Sequence, residues 1–507
     1  MIDLKKTCAL AAVALALLAG TARADQAQAS SGNDIGGMKV VALPSESPLV
    51  AIRLMFDVGS IHDPKGKEGL SALTASMVGE SGTKKRSYTE LLEALYPMAA
   101  AIQTGGDREV TLFSGMVHRD KLAEYTALLE EVLLQPAFSE QDFQRNKDQL
   151  QSFLANTLPS NDELLGLEAL QTELWKGHPY GHPTAGTVEG LKSITIDDVR
   201  KFYQDNYTQA NLMLGVAGGY PKGYVEKLQQ DLSALPKGQA GRTELPAAPA
   251  VKGRNFVLVE KETASVGLHF GFPLPVTRAD ADYFPLMVAG SFLGEHRTFH
   301  GRLMQQLRGA RGLNYGDYAY MEYYAVPPFT SNPTPNVPRR QQYFSVWIRP
   351  VVPTDAQFAL RAGMYEVQRL RDRGLTQAEF ELTRDFLLNY TKLWVQSLPD
   401  RLGFQMDSEF YGTPYFIDEV DKRLRTMKVD EVNAAIKKYL SLDNFDAVLV
   451  TDNAAQVKDM LEKDAPSPKT YNSPVAADVT EADKIIQALP VKPTSIEIVP
   501  VAELYEK

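Results

Sequence analysis

Histidine and acidic side chains are the first candidates for chemistry in this chain of 507 residues, which has seven histidines. Two histidine pairs show the four-residue spacing of helical metal ligands. His178 and His182 enclose Pro-Tyr-Gly, which predicts a turn and argues against a shared helical face. His296 and His300, with Glu295 alongside, would share a face on a helix. The alternative for this second pair is a solvated loop ahead of the next helix.

Nucleophilic catalysis has little support in the sequence. The only cysteine is Cys8, and it lies in a predicted signal peptide. The mature chain is therefore expected to form no disulfide, no Cys–zinc site and no thiol nucleophile. A serine nucleophile is not indicated either, because no G-x-S-x-G pattern is present.

The N-terminus is typical of an exported protein. Lys5 and Lys6 precede an apolar run that ends at Leu18, and Ala22-Arg23-Ala24 provides a cleavage site. These features predict a signal peptide at residues 1–24 and a periplasmic or secreted protein. The apolar run is too short to span a bilayer comfortably. No other stretch is long enough, so we expect no membrane span after cleavage.

Composition and charge exclude several classes of protein. Hydrophobic residues make up 44% of the chain and charged residues 23%, which is ordinary for a globular protein. The formal net charge is -10, and removal of the signal peptide lowers it to -12. A nucleic-acid partner is not expected, because binding phosphates requires a basic surface.

An internal repeat divides the chain in two. The segment that starts at Leu191 aligns without a gap with the segment that starts at Leu424, matching Val199 to Val432. Upstream, the residues after Phe138 parallel those after Leu375 in the same order, which indicates two related domains. Strands followed by amphipathic helices in each half predict an α+β fold. The expected organisation is a signal peptide (1–24), a flexible lead-in (25–37), an N-terminal domain (38–235), a linker (236–253), a C-terminal domain (254–463) and a tail (464–507). A proline-rich insertion from Pro327 to Pro338 is expected to be an exposed loop of unassigned function.

Four stretches carry a family resemblance. FDVGSIHDPKGKEGLSALTASMVGESGTKKRSYTEL, GDREVTLFSGMV, HPYGHPTAGTVEGLKSIT and LMQQLRGARGLNY follow one another in order. They are similar to pitrilysin/insulinase-like metallopeptidases over nearly the whole mature chain. The resemblance implies two homologous domains, each a mostly antiparallel sheet flanked by helices, which face each other across a substrate cavity.

The zinc motif of that family is missing here. Active members carry H-x-x-E-H on the helix after the Gly-Leu that appears here as Gly69-Leu70. The two histidine positions correspond to Ala72 and Ser76, and the glutamate position to Ala75. None of the three can bind zinc or take a proton in that role. The third zinc ligand of the family is a glutamate further downstream, where Gln151 or Ser152 stands here. No metal is therefore expected in this chain.

The resemblance implies a role for two residues of the second half. Family members carry L-R-x-x-x-x-L-x-Y, which matches Leu307 to Tyr315 here. Arg308 and Tyr315 would then reach the active site of a facing zinc domain and stabilise an oxyanion. The alternative is that Arg308 pairs with a surface carboxylate and Tyr315 simply packs.

Two further features have candidate roles in peptide binding. In relatives, the segment matching Ala99, Ala100 and Ala101 is an exposed edge strand to which an extended peptide can add. Small residues also occur on edge strands for plain packing. Near Tyr315, an aromatic cluster would line a peptide groove or fill the core. Its members are Tyr318, Tyr320, Tyr323 and Tyr324.

Two functions compete at this point. In the first, the chain is the non-zinc subunit of a heterodimeric peptidase, with a homologous zinc-bearing partner and a peptide substrate. In the second, it is an inert peptide-binding or scaffold protein of the same fold. A self-sufficient zinc peptidase is nearly excluded by Ala72, Ala75 and Ser76.

Overall fold

The computed structural model describes residues 30–31, 37–239, 241–326 and 330–506. The predicted signal peptide and most of the predicted lead-in lie outside the described residues. Within that lead-in, Ser30–Ser31 forms a short strand that pairs with Val41 and Ala42. The flexible assignment therefore does not hold for these two residues. In the described part of the chain, no helix has the length and apolar character needed to cross a membrane.

The first half folds into a six-stranded sheet flanked by helices. Its strands are β1 (Ser30–Ser31), β2 (Lys39–Pro44), β3 (Leu49–Phe56), β4 (Gln103–Gly106), β5 (Thr111–His118) and β6 (Leu212–Gly218). The spatial order is β1-β2-β6-β3-β5-β4, with only β2 and β6 parallel. Its helices are α1 (Leu70–Gly79), α2 (Tyr88–Leu95), α3 (Leu122–Leu134), α4 (Glu140–Ser152), α5 (Asp162–Leu174), α6 (Val188–Ser193), α7 (Ile196–Asn206) and α8 (Tyr224–Leu232).

The second half repeats this plan. Its strands are β7 (Arg254–Glu260), β8 (Val266–Leu274), β9 (Asp317–Tyr320), β10 (Gln342–Val351), β11 (Phe445–Thr451) and β12 (Ser495–Pro500). They lie in the order β12-β7-β11-β8-β10-β9, with β7 parallel to both β12 and β11. Its helices are α9 (Tyr283–Leu293), α10 (Ala356–Arg373), α11 (Gln377–Leu393), α12 (Leu398–Tyr411), α13 (Phe416–Thr426), α14 (Val429–Tyr439), α15 (Ala454–Lys463) and α16 (Ala477–Ile486). The fold is α+β, with two mixed sheets flanked by helices.

The sequence repeat corresponds to equivalent elements. Helix α7 and strand β6 of the first half match α14 and β11 of the second at the predicted offset. In each pair the matched valine, Val199 or Val432, is fully buried. In the first half α1 packs against α4 and α7, and in the second half α9 packs against α11 and α14. Helix α9 is therefore the structural counterpart of α1.

One helix of each half packs against the sheet of the other half. Helix α5 packs on β8 and β11 of the second sheet, where Val448 and Val450 join the core of the first half. In the reverse direction, α12 covers β3 and β6 through Leu402 and Met406. Burying apolar surface on both partners makes this exchange a strong link between the halves. These helices occupy part of the space between the domains, where a substrate cavity was expected.

Two predicted boundaries need correction. The predicted tail (464–507) contains α16 and β12, and β12 pairs in parallel with β7, so the tail completes the second sheet. The proline-rich insertion is not a plain exposed loop, because Asn336 is buried. Its backbone N–H donates to the Asp407 carboxylate at 3.0 Å, and its side-chain amide donates to the Gly403 carbonyl at 3.1 Å.

Candidate functional site

The positions that correspond to the family's zinc motif lie on a regular helix, as predicted. Helix α1 begins after Gly69, whose φ of 106° is a left-handed conformation that favours glycine. The Asp63 carboxylate accepts hydrogen bonds from the backbone N–H groups of Gly69 and Ser71, both at 2.7 Å. These bonds satisfy amides that a helix N-terminus leaves free.

The three zinc-motif positions cannot hold a metal. Ala72 and Ser76 are half-buried one helical turn apart, and Ala75 is buried. They offer two methyl groups and one hydroxyl where the family's motif has two imidazole ligands and a glutamate base. Over the described residues, no group of three or more His, Cys, Asp or Glu side chains is placed to bind a metal ion.

Helix α4, which was expected to provide the third ligand position, carries Gln151 and Ser152 in its last turn. Its contact with α1 and with the residues that follow α1 includes hydrogen bonds. The Asn146 amide donates to Ser81 Oγ at 2.8 Å and to Met77 Sδ at 3.3 Å. Asn146 was not singled out from the sequence, because one amide in a polar helix gives no distinguishing signal.

Neither histidine pair forms a metal site. His178 and His182 lie in the predicted turn, where His178 Nδ1 accepts from the Tyr180 N–H at 3.1 Å. His296 and His300 follow the end of α9 in a non-helical segment, so the helical pair does not form. His296 is instead buried, with Nδ1 at 2.9 Å from the Tyr320 hydroxyl.

The edge strand near the alanines begins later than predicted. Strand β4 covers Gln103–Gly106 and is the outer strand of the first sheet. Ala99 lies in a left-handed turn with φ of 48°, and Ala100 and Ala101 precede the strand. The cause is the 3₁₀ turn Tyr96–Met98, which ends the preceding helix and leaves the alanines to reverse the chain.

Arg308 and Tyr315 lie side by side at the surface. The guanidinium carbon of Arg308 is 4.6 Å from the centre of the Tyr315 ring and 5.2 Å from that of Phe299. Tyr315 is 72% exposed and Phe299 is 66% exposed. Among the described residues, no carboxylate forms an ion pair with Arg308, whose one hydrogen-bond contact is to Met304 Sδ at 4.0 Å. The surface ion pair of the alternative interpretation is not formed among the described residues, and Tyr315 packs only against neighbouring side chains at the surface.

The local chain path explains how two residues seven positions apart meet. Arg308 lies in a π-helical turn, Met304–Gly309, a type of turn that is frequent at functional sites. Leu307 and Leu313, on either side, are buried, and the Leu313 N–H donates to the Leu307 carbonyl at 3.1 Å. Gly312 reverses the chain with φ of 61°. Two buried leucines thus hold the loop, while Tyr315 is exposed to solvent and Arg308 is half-buried beside it.

A polar layer supports this loop from below. The Asn314 amide donates to Asp317 Oδ1 at 2.7 Å and to the Arg349 carbonyl at 2.9 Å. Arg349 Nη2 donates in turn to Glu163 of α5 at 3.2 Å, which ties the loop to the first half. Burial raises the pKa of Asp317 to about 8, against the Asn314 hydrogen bond and the charges of Arg308 and Arg349. These supporting residues were missed, because their partners are distant in sequence.

The aromatic cluster is divided between two roles. Tyr318 and Tyr320 share one face of β9, as predicted, and both pack with Trp347 in a buried cluster. Tyr320, Tyr323 and Tyr324 also line a cavity inside the second half. No part of this arrangement shows a peptide groove.

Two family models match the chain. The model described as Insulinase (Peptidase family M16) matches residues 39–188, and the model described as Peptidase M16 inactive domain matches residues 193–387. Together they cover more than half of the sequence. The chain belongs to the insulinase family of peptidases, family M16.

Relatives of this M16 chain are distant, and their matches cover between about half and most of its length. It is 24% identical over 447 residues to the Non-peptidase homolog YmxG of Helicobacter pylori, covering 86% of this chain and 98% of that protein. It is 22% identical over 263 residues to the mitochondrial-processing peptidase subunit beta of Dictyostelium discoideum, covering 51% and 55%. A peptidase M16 inactive domain from Pseudomonas fluorescens matches with a TM-score of 0.74 at 21% identity, covering 88% and 100%. At this identity the structural match shows the M16 fold.

Proposed function

We propose that the chain is the non-zinc subunit of a heterodimeric zinc peptidase and supplies Arg308 and Tyr315 to the partner's active site. The observation that carries this proposal is the contact between the half-buried Arg308 and the exposed Tyr315, neither of which has a carboxylate partner in the described part of the chain. An arginine left unpaired at a surface beside an exposed phenol is available to a ligand or to another subunit.

The chemistry of the pair suits acyl transfer. A guanidinium and a phenol both donate hydrogen bonds, and neither needs to change its protonation state to do so. Both would donate to the carbonyl oxygen of the scissile peptide, where negative charge develops as water attacks. Zinc held by a homologous partner would supply the activated water. Arg308 and Tyr315 are already held 4.6 Å apart before any substrate binds, which reduces the cost of ordering them.

The first half supports the same division of labour. Ala72, Ala75 and Ser76 leave this chain without zinc ligands, so we propose that it hydrolyses nothing alone. Strand β4 beside α1 has an outer edge on which an extended peptide could pair, a role we move from Ala99–Ala101 to Gln103–Gly106. From the signal-peptide features, we propose that the chain acts in the periplasm or outside the cell.

A second candidate is an inert scaffold of the same fold. The naming of the relative YmxG as a non-peptidase homolog favours it. A scaffold would bind a partner or a peptide without changing the rate of hydrolysis.

Reconstitution separates the two candidates. The mature chain is co-expressed with a homologous chain that carries H-x-x-E-H, and the zinc content and peptide cleavage of the complex are compared with each chain alone. The heterodimer proposal expects a stable complex that cleaves far faster than the zinc-bearing chain alone. A complex no more active than that chain would favour the scaffold.

A further inference from the structure

The cavity in the second half is small and largely aromatic. It lies between α9, β9, α11 and the proline-rich insertion, with a free volume of about 90 Å³. One water molecule needs roughly 10–15 Å³ by such a measure, so the space holds a group of several heavy atoms and not a peptide. Four aromatic side chains line one end: Tyr320, Tyr324, Tyr390 and Trp394.

Three charged groups that also line the cavity, Arg278, Glu322 and Asp407, are fully paired. Arg278 donates to both oxygens of Glu322, at 2.9 and 3.1 Å, and lies 3.7 Å from Asp407. Asp407 also accepts hydrogen bonds from Asn336. These three groups therefore offer no free charge to a ligand.

The aromatic end contains polar atoms without partners. Glu295 Oε2, His296 Nε2 and Trp394 Nε1 are buried and make no hydrogen bond within the described residues. No Lys, Arg or His of those residues forms an ion pair with Glu295. Burial lowers the pKa of His296 to about 4, so this imidazole is neutral at pH 7 and does not repel a cation. The Ser291 side chain hydrogen-bonds to Glu295, but no counter-charge is present among the described residues, so the ionised form of this buried carboxyl group is costly unless a cation binds.

The neighbouring aromatic rings provide the rest of a cation site. The Tyr324 and Tyr390 hydroxyls both donate to the Ser331 carbonyl, at 3.0 and 2.8 Å, so these hydroxyls are not left to bind a ligand. Tyr390 packs edge-to-face on Trp394, with centroids 5.6 Å apart. Electron-rich rings around a carboxyl group are the arrangement that proteins use to recognise organic ammonium ions.

We propose that this cavity binds a small organic ammonium ion, with Glu295 as its counter-ion and Tyr324, Tyr390 and Trp394 as its aromatic wall. Burial raises the pKa of Glu295 to about 8 in the empty cavity, and a bound cation would favour the ionised carboxylate. The site does not depend on Arg308 or Tyr315 and stands apart from the proposed peptidase role.

Choline and its uncharged analogue 3,3-dimethylbutan-1-ol have nearly the same shape and test the proposal directly. Their binding to the mature chain is measured by isothermal titration calorimetry and by ligand NMR. Choline is expected to bind at least about tenfold more tightly than the alcohol, because only the cation interacts with the rings and the carboxylate. Glu295→Gln should abolish this preference. Glu381→Gln, at an exposed glutamate of α11, should keep it.

Three results would overturn the proposal: no detectable choline binding, equal binding of the two compounds, or an unchanged preference in Glu295→Gln. Circular dichroism checks the fold of each variant. The comparison of choline with the alcohol in the unsubstituted chain decides the matter even if Glu295→Gln does not fold.

Discussion

A buried ion pair links the two halves, and its removal is a quantitative test of the fold. Arg339, only 1% exposed, donates from Nε and Nη2 to the two carboxylate oxygens of Asp107, at 2.8 and 2.7 Å. Its Nη1 donates to Gln171 Oε1 of α5 at 2.8 Å, and its guanidinium carbon is 3.4 Å from the Tyr323 ring centre. Although burial opposes its charge, Asp107 raises the pKa of Arg339.

Arg339→Ala leaves the Asp107 carboxylate buried without its cation and Gln171 without its donor. Breaking one side of a buried pair costs about 3–5 kcal/mol, a large part of a typical stability of roughly 5–15 kcal/mol. The free energy of unfolding is measured by urea titration with circular dichroism. Arg384→Ala is the control, because Arg384 pairs with Asp385 at the surface of one helix and should cost about 1 kcal/mol or less.

The double variant Asp107→Asn, Arg339→Met removes both charges and should recover part of the loss. The reasoning is refuted if Arg339→Ala unfolds at the same urea concentration as Arg384→Ala. That result would mean that the Asp107 carboxylate is hydrated in the folded chain and that the exchanged helices hold the halves together without the ion pair.

Three other outcomes are expected. The purified mature chain should contain well under one zinc per chain by mass spectrometry and cleave no peptide. The reason is that Ala72, Ala75 and Ser76 replace the two histidine ligands and the glutamate base of the motif. Stoichiometric zinc that survives dialysis and supports hydrolysis would contradict this. Asp317→Asn should become more stable relative to wild type as the pH rises, by about 2–3 kcal/mol between about pH 5 and pH 7 in urea titrations. The sign follows because folded Asp317, with its pKa raised to about 8, keeps a proton that the unfolded chain loses near pH 4; a constant difference would show that Asp317 is ionised when folded. Gly166→Ala should lower the free energy of unfolding by about 1–3 kcal/mol, because a Cβ there would lie 2.5 Å from the His269 ring, which is stacked on Trp347. An unchanged melting temperature would argue against α5 packing on the second sheet.

Local features of the fold were predictable from the sequence. The sequence repeat correctly matched α7 and β6 of the first half to α14 and β11 of the second. It could do so because the buried Val199 and Val432 occupy equivalent positions in the two halves. The spacing after Gly69 placed Ala72 and Ser76 on a helix. The motif leucines, Leu307 and Leu313, are apolar and buried, which explains why the resemblance extended to them.

Long-range features were not predictable in the same way. An amphipathic pattern shows that α5 and α12 have an apolar face, but it does not show that each covers the sheet of the other half. The insertion was expected to be exposed because prolines are common in loops. Instead, Asn336 within it and Arg339 directly after it donate hydrogen bonds to buried carboxylates that are distant in sequence. The edge strand was predicted to include Ala99–Ala101, but it begins at Gln103. Alanine has no strand preference that would mark where a strand begins.

The most direct test of the proposed function is the turnover of a reconstituted heterodimer that carries Arg308→Ala or Tyr315→Phe. Tyr315 is exposed and Arg308 is half-buried without an ion pair among the described residues, so assembly and unfolding should match wild type, as should the activity of the Arg384→Ala control. The account predicts a fall in kcat on the order of a hundredfold or more, the effect of losing a hydrogen bond of about 3–4 kcal/mol to the oxyanion. Substituted heterodimers that assemble normally and cleave at nearly the wild-type rate would contradict it.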